Sequence, residues 1–132
     1  MILKKIDKNE LSGYLAKIDY IAYSDQFARF AQSAYGSRRY FVGVFEGNEL
    51  KAFFPAFEKM MGRQRIIELP LFIYTEIYFV DTKFIINGIE LGRELIRLFG
   101  GDVLRLNLYK LHFADNFKTE GFKDKFTAMI IP

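Results

Sequence analysis

The sequence contains no cysteine and no tryptophan, and it has a single histidine and three prolines among its 132 residues. Without cysteine there can be no disulfide, no zinc–thiolate site and no thiol nucleophile. His112 has no neighbouring carboxylate pair with which to complete an ordinary zinc site. We therefore expect no metal centre and no catalysis by a Ser-His-Asp or cysteine mechanism.

Long hydrophobic runs are also missing, since none approaches the roughly 20 residues that cross a bilayer. The first five residues, Met1-Ile-Leu-Lys-Lys5, lack the long apolar stretch and the small-residue cleavage site of a signal peptide. We therefore expect a cytoplasmic protein without a membrane partner. The net charge of +3 is compatible with an anionic ligand but does not indicate one.

Hydrophobic and aromatic residues are abundant instead. They make up 51% and 17% of the chain, which includes 15 Phe and 8 Tyr. A chain of this length matches the commonest size of one domain, roughly 100–150 residues, and it has ample apolar surface for a core. We expect a single domain spanning residues 1–132, without repeats or linkers.

Capping residues mark the expected helices. Asp7, Ser24 and Asn87 are candidate N-caps, and Gly36 and Gly100 are candidate helix ends. After each N-cap, apolar residues recur with the spacing of one helix face. These faces are Leu11, Tyr14, Leu15 and Ile18; Phe27, Phe30, Ala31 and Ala34; and Leu91, Leu95, Leu98 and Phe99. Phe27 and Leu95 lie at the centres of their faces, so we expect both in the core.

The remaining segments are mostly extended. The predicted strands are 1–6, 39–46, 50–61, 65–69, 103–109 and 126–131. Pro70 interrupts the chain after 65–69, which then continues extended over 71–80. Pro55 cannot donate to a sheet ladder, so we expect a bulge or a poorly paired stretch there. A short helix is predicted over about 113–119.

This order of strand, two helices, three strands, helix, strand, short helix and strand resembles the GNAT N-acyltransferase fold without its last strand. The segment 110–122, which ends in Gly121-Phe122, looks like the late part of that family. The segment 41–71, with Pro55 and Glu68-Leu-Pro-Leu71, looks like the N-terminal half of FemAB-like transferases, which join two GNAT-like halves. The resemblance implies an α+β fold with a mixed, mostly antiparallel sheet, helices on both of its faces, and an amine acceptor.

Two positions depart from the family pattern. GNAT enzymes hold the coenzyme A pyrophosphate on a glycine-patterned loop at a helix start, where free N–H groups attract phosphate. The corresponding segment 87–92 has glycines at other spacings and carries Glu90, and the position of the family's general-acid tyrosine is occupied by Phe117. We expect no bound cofactor. If the domain is catalytic, the resemblance implies acyl-coenzyme A. These departures favour a role in acceptor binding or scaffolding.

Polar side chains alternate on two of the predicted strands. The first set is Tyr74, Glu76 and Tyr78, and the second is Arg105, Asn107 and Tyr109. GNAT sheets splay between the corresponding strands, so the resemblance implies a cleft there. Glu76 could then act as a general base and Tyr109 as a proton donor, with the other four binding substrate. Alternatively, the six side chains form a buried polar network or face solvent.

The expected partners follow from two surfaces. The segment 126–131 is apolar on both faces and has no charge after Lys125, so we expect it to pair with a second GNAT-like half or a second copy. Basic residues lie near aromatics at 38–40 and 63–65, but at strand ends or turns, where solvated arginine is ordinary; we do not expect nucleic-acid binding. The alternative to an acyltransferase-like domain is a non-enzymatic module that binds a small ligand or a partner chain.

Overall fold

The computed structural model describes residues 1–68 and 77–100 in full, and it describes the backbone of three strands at 103–106, 117–118 and 128–130. The described strands are β1 (Ile2–Ile6), β2 (Arg38–Glu46), β3 (Glu49–Met61), β4 (Gln64–Glu68), β5 (Tyr78–Phe79), β6 (Ile86–Asn87), β7 (Val103–Leu106), β8 (Phe117–Lys118) and β9 (Ala128–Ile130). The described α-helices are α1 (Ser12–Leu15), α2 (Asp25–Tyr35) and α3 (Gly88–Phe99).

Seven of these strands form one sheet in the order β1-β2-β3-β4-β7-β9, with β5 pairing to β3 beside β4. Among the described strands of this sheet, β4 and β7 are parallel and every other pair is antiparallel. Helix α3 lies between β4 and β7 in the chain, as a parallel crossover requires. The predicted α+β class with a mixed, mostly antiparallel sheet is therefore confirmed.

Helices cover both faces of the sheet, because the side chains of β3 alternate between two core clusters. Phe57 packs with Phe27 of α2 on one face. Phe54 belongs to the larger cluster on the other face, together with Leu91 and Leu95 of α3. Phe27 and Leu95 are 5% and 0% exposed, so the prediction that they lie in the core is confirmed.

The helix caps are also those predicted from the sequence. The Ser24 hydroxyl accepts the backbone N–H three residues later at 3.1 Å, and the Asn87 side chain does the same at the start of α3. Gly36 and Gly100 end α2 and α3 in the left-handed conformation, with φ of 66° and 63°. Both positions require a positive φ, which residues with a Cβ atom adopt less readily than glycine.

The first predicted helix is shorter than expected. Asp7 caps a 3₁₀ turn over Lys8–Leu11, which continues into the single turn of α1, and a second 3₁₀ turn follows at Ile21–Tyr23. Gly13 lies inside this segment, where glycine disfavours a continuous helix. The predicted apolar face nevertheless packs as one unit, because Leu11 and its successors share a cluster with Phe53.

The predicted apolar face of α2 is too wide. Phe27 and Ala31 are buried, but Phe30 is 48% exposed and Ala34 is also exposed. The sheet covers only the row of α2 that contains Phe27 and Ala31, which are four residues apart. The Phe30 ring instead contacts that of Tyr35, with centroids 5.8 Å apart on the outer side of the helix.

Pro55 causes no bulge, so that part of the prediction is wrong. It pairs in register with Phe41 of β2, and the irregularity lies at Lys51, which falls between the Val44–Ala52 and Phe45–Leu50 pairs. The second edge of β3 is shared by two strands, since β4 pairs with residues 57–61 and β5 with residues 52–53. Among the described strands, none pairs with residues 54–56 on that edge.

The prediction of a short helix at about 113–119 is wrong at residues 117–118. Phe117–Lys118 form β8, which runs parallel to β6 with Phe117 opposite Ile86 and Lys118 opposite Asn87. Pairing with a distant strand thus overrides the local pattern at these two residues. The rest of that segment lies outside the described residues, as do residues 71–76 of the extended stretch predicted at 71–80.

Candidate functional site at the end of β4

Four of the six residues predicted to line the cleft lie outside the described part of the chain. They are Tyr74, Glu76, Asn107 and Tyr109. The proposed base and proton donor, Glu76 and Tyr109, are both in this group, so their roles stay predictions. The structure describes the backbone of Arg105 and the whole of Tyr78.

Tyr78 is half-buried and belongs to an aromatic cluster. It pairs in register with Phe53 of β3. Its ring centroid lies 5.1 Å from that of Phe53 and 5.8 Å from that of Tyr14. These contacts place Tyr78 on the sheet face that α1 and α2 cover. Tyr78 therefore anchors β5 through ring packing, and any contact with a ligand would be an additional role.

Arg105 lies in β7, an interior strand of the described sheet. Its backbone is register-paired with Glu68 of β4 on one side and with Met129 of β9 on the other. Paired residues of neighbouring strands lie on the same face of a sheet. The register therefore brings the Arg105 position beside Glu68, at the carboxyl end of β4 in the parallel pair.

Glu68 is a charged residue that the fold largely removes from water. It is only 8% exposed, and one of its carboxylate oxygens lies 3.1 Å from the Lys59 ammonium, whose side chain is 20% exposed. Its register neighbour in β3 is Phe57. A carboxylate removed from water in this way depends on its ion partner, because an unpaired buried charge is costly.

Sequence reasoning did not identify this ion pair as a candidate site, although Glu68 was part of the FemAB-like passage. A usable signal exists in the hairpin that turns at Gly62. An antiparallel register places Lys59 opposite Ile66, so Glu68 lies one diagonal step away on the same face. Opposite charges at that diagonal spacing predict a cross-strand pair, but only once the register is known.

The pair gives this end of β4 a defined chemistry. Glu68 already holds a primary ammonium, that of Lys59, at hydrogen-bonding distance. A carboxylate of this kind can accept hydrogen bonds from a second amine, since each oxygen has more than one acceptor position. The arrangement is therefore suited to recognising amines.

The start of α3 has the opposite character from a phosphate site. The Asn87 side chain uses one of the free N–H groups of the first turn, that of Glu90, at 3.1 Å. The Glu90 carboxylate adds negative charge to the same turn. Phe117 pairs with Ile86 directly before this helix. An anion would meet repulsion here, where a helix start usually attracts it.

The described residues contain no cluster of three or more His, Cys, Asp or Glu side chains that could hold a metal ion. Along the same part of the chain, none of the helices combines the length and the apolar character that a membrane crossing requires.

Comparison with known proteins identifies no relative: no family model, no curated protein and no solved structure matches the chain.

Proposed function

We propose that this chain is an acyltransferase-like domain of the GNAT or FemAB-like type that contributes acceptor binding or scaffolding and does not transfer an acyl group alone. The observation that carries the proposal is the parallel β4–β7 pair, which is joined through α3 and lies in a sheet whose other described pairings are antiparallel. The resemblance found in the sequence implies the same strand order. The resemblance implies that the acyl group enters where the stretch 71–80, which follows β4, separates from the strand that carries Arg105.

The Glu68–Lys59 pair supports an amine as the acceptor. Glu68 lies on β4 beside the Arg105 position, at the carboxyl end of the parallel pair, and Lys59 reaches it from β3. The contact of the Lys59 ammonium with this carboxylate is of the kind that an acceptor amine would make. An incoming amine would share Glu68 with Lys59 or displace it, and partial burial would strengthen the attraction relative to bulk water.

The start of α3 supports the absence of independent transfer. A coenzyme A pyrophosphate would need free N–H groups and a positive helix end. Asn87 occupies one of these N–H groups, and Glu90 adds negative charge to the same turn. In addition, Phe117 offers no proton to a leaving group.

The same features also favour a second candidate, a non-enzymatic module that holds a small ligand or a partner chain on the same sheet. A module of this kind needs neither a phosphate loop nor a proton donor. It differs from the first candidate in one testable respect, because it does not require amine recognition at Glu68.

Amide-resolved NMR titration separates the two candidates. Lysine amide should shift the resonances of β4 residues saturably. Its Nε-acetylated form, in which the side-chain ammonium has been replaced by a neutral amide, should bind more weakly. Glu68→Gln should abolish the response, and Glu46→Gln, which neutralises an exposed carboxylate at the end of β2, should retain it. No response to the amine in the folded protein would reject the acceptor role and favour the second candidate.

Acetyl-coenzyme A is the second arm of the experiment. We expect no saturable binding at micromolar concentrations. Saturable binding together with acetylation of an amine would show that the domain transfers alone, which contradicts the proposal.

A further inference from the structure

Phe30 is a large apolar side chain of α2 that the core does not bury. It is 48% exposed, and its ring centroid lies 5.9 Å from that of Phe27 and 5.8 Å from that of Tyr35. The Phe27 ring in turn contacts Phe57 of β3, with centroids 5.7 Å apart. A series of ring contacts therefore connects the exposed Phe30 ring to the sheet and limits its movement.

The side of α2 on which Phe30 lies follows from helix geometry. With 3.6 residues per turn, the residue one position after Phe27 and the residue three positions after it lie on opposite sides of it. Ala28 is on the side that borders the start of β2, where it lines a shallow groove with Arg38. Phe30 is on the other side, and Phe27 already reaches Phe57 of β3. Phe30 therefore lies on the flank of α2 that faces β3 and β4.

The strand register gives the position of Phe30 along the sheet. Glu68 pairs with Phe57, and Lys59 is the next residue of β3 on the same face. Helix α2 ends directly before β2 begins, so from Phe27 it runs in the direction that leads from Phe57 to Lys59 along β3. Phe30 is almost one turn along this path. Its ring consequently borders the Glu68–Lys59 ion pair from the helix side.

A fixed aromatic ring beside a carboxylate is suited to an organic ammonium ion. The Glu68 carboxylate supplies the charge, and it already holds the Lys59 ammonium at 3.1 Å. An exposed aromatic face supplies apolar contact and attracts cations through its quadrupole. Phe57 is only 2% exposed and so supports the site from below. Phe30 is the ring of this series that a ligand at Glu68 can reach.

We propose that the amine acceptor carries an aromatic group on a short stem, with its ammonium at Glu68 and its ring against Phe30. This inference rests on the proposed function, because it names the class of amine that the same site takes. Lysine amide would use Glu68 but gain little from Phe30, since its stem ends in polar groups. Glu68 thus anchors the amine, and Phe30 determines which amine is preferred.

Amide-resolved NMR titrations of the whole chain with phenethylamine, ethylamine and phenethyl alcohol test the inference. We expect phenethylamine to bind about tenfold more tightly than ethylamine, as a favourable pair of aromatic rings allows. Phenethyl alcohol has the same ring but no ammonium, so it should bind much more weakly than phenethylamine. Glu68→Gln should abolish the binding of both amines.

Variants of Phe30 separate the ring contact from the charge contact. Phe30→Ala should remove the preference for phenethylamine and leave the affinity for ethylamine unchanged. Phe30→Tyr keeps the ring and should keep the preference. Met60→Ala is the matched control, because Met60 is 56% exposed and adjacent to Lys59 but lies on the opposite face of the sheet. It should leave both affinities unchanged.

Thermal melts establish that each variant is folded before it is titrated. Equal affinities of the two amines, or a preference that survives Phe30→Ala, would overturn the inference, while binding of lysine amide through Glu68 would still support the proposed function. Phenethyl alcohol binding as tightly as phenethylamine would indicate general apolar attraction and would also overturn it. Failure of every amine to bind would reject the inference together with the proposed function.

Discussion

The Lys51 ammonium lies 3.3 Å from a carboxylate oxygen of Asp81, and the Lys51 carbonyl accepts the backbone N–H groups of Val80 and Asp81. Lys51 is the bulged residue of β3, so its carbonyl and side chain are directed at the chain that follows β5. The other Asp81 oxygen accepts the backbone N–H of Lys83 at 2.9 Å. Lys51 and Asp81 together hold this turn against the sheet.

The Lys51–Asp81 contact predicts a pH-dependent effect on stability. The hydrogen bond from the Lys83 backbone, followed by that from Lys51, lowers the pKa of Asp81 below 3.8. A carboxylate with a depressed pKa contributes stability above its unfolded pKa and loses that contribution as the pH falls through its folded value. We expect Asp81→Asn to lower the urea midpoint at pH 7, and the difference from the wild type to shrink once the pH is well below 3.8.

The matched control for this experiment is Asp19→Asn, which neutralises an exposed aspartate outside this network. It should leave the urea midpoint unchanged at both pH values. An Asp81→Asn effect of the same size at acidic and neutral pH would show that the carboxylate charge is not responsible.

Gly43 predicts a steric effect in the centre of β2. A Cβ atom added there would lie 2.1 Å from the Ile6 Cδ1 atom and 2.8 Å from the Phe45 ring. Such contacts force neighbouring side chains out of their rotamers, and overpacking of this kind costs about 1–3 kcal/mol. We expect Gly43→Ala to reduce the free energy of unfolding by that amount in urea titrations.

Ile6→Val removes the Cδ1 atom with which the new methyl group clashes. We therefore expect the double variant to be more stable than the sum of the two single effects predicts. Gly13→Ala serves as the comparison, because no atom lies within 4 Å of the added Cβ there. Strict additivity of the Gly43 and Ile6 changes would mean that the clash is not with Ile6.

Leu95 and Phe27 anchor opposite faces of the sheet. Both are at most 5% exposed, and each lies in the core cluster of its own helix. Truncation of either residue to Ala should lower the free energy of unfolding by about 2–5 kcal/mol, as for other large buried side chains. Ile85→Ala, at a side chain that is 61% exposed, should change it by less than about 0.5 kcal/mol.

Local signals predicted the helix ends well, because the interactions responsible lie within a few residues. Ser24 and Asn87 cap their helices through N–H groups three residues away, and Gly36 and Gly100 meet a local backbone requirement. Nothing distant in the chain competes with these contacts. The positions of α2 and α3 therefore follow from the sequence alone.

Features that depend on strand pairing could not be predicted in the same way. The bulge lies at Lys51 and not at Pro55, because the register with β2 is decided by the pairs on either side of it. Phe117 lies in a strand because β6 is available as a partner. The Glu68–Lys59 pair joins neighbouring strands, so its two charges come together only once the register of β3 and β4 is set.

The two edges of the described sheet predict how the protein assembles. Strand β1 forms one edge and carries the exposed residues Lys4 and Lys5, which discourage pairing with another chain. Strand β9 is the other edge strand among those described, and its pairing partner is β7. The segment 126–131 that contains it has no charged residue. We expect a second copy to pair along β9 and give a homodimer in light scattering over a concentration series.

Lysine substitutions test this assembly. Successive strand residues lie on opposite faces, so Met129→Lys and Ile130→Lys place a charge on each face of β9 in turn. At least one of these variants should remain folded in thermal melts and become monomeric. Ile2→Lys on β1 is the control, because it adds the same charge to a residue that is already 50% exposed at the opposite edge, and it should remain dimeric. A monomeric mass for the wild type at the highest concentration, or dissociation by Ile2→Lys, would contradict pairing through β9.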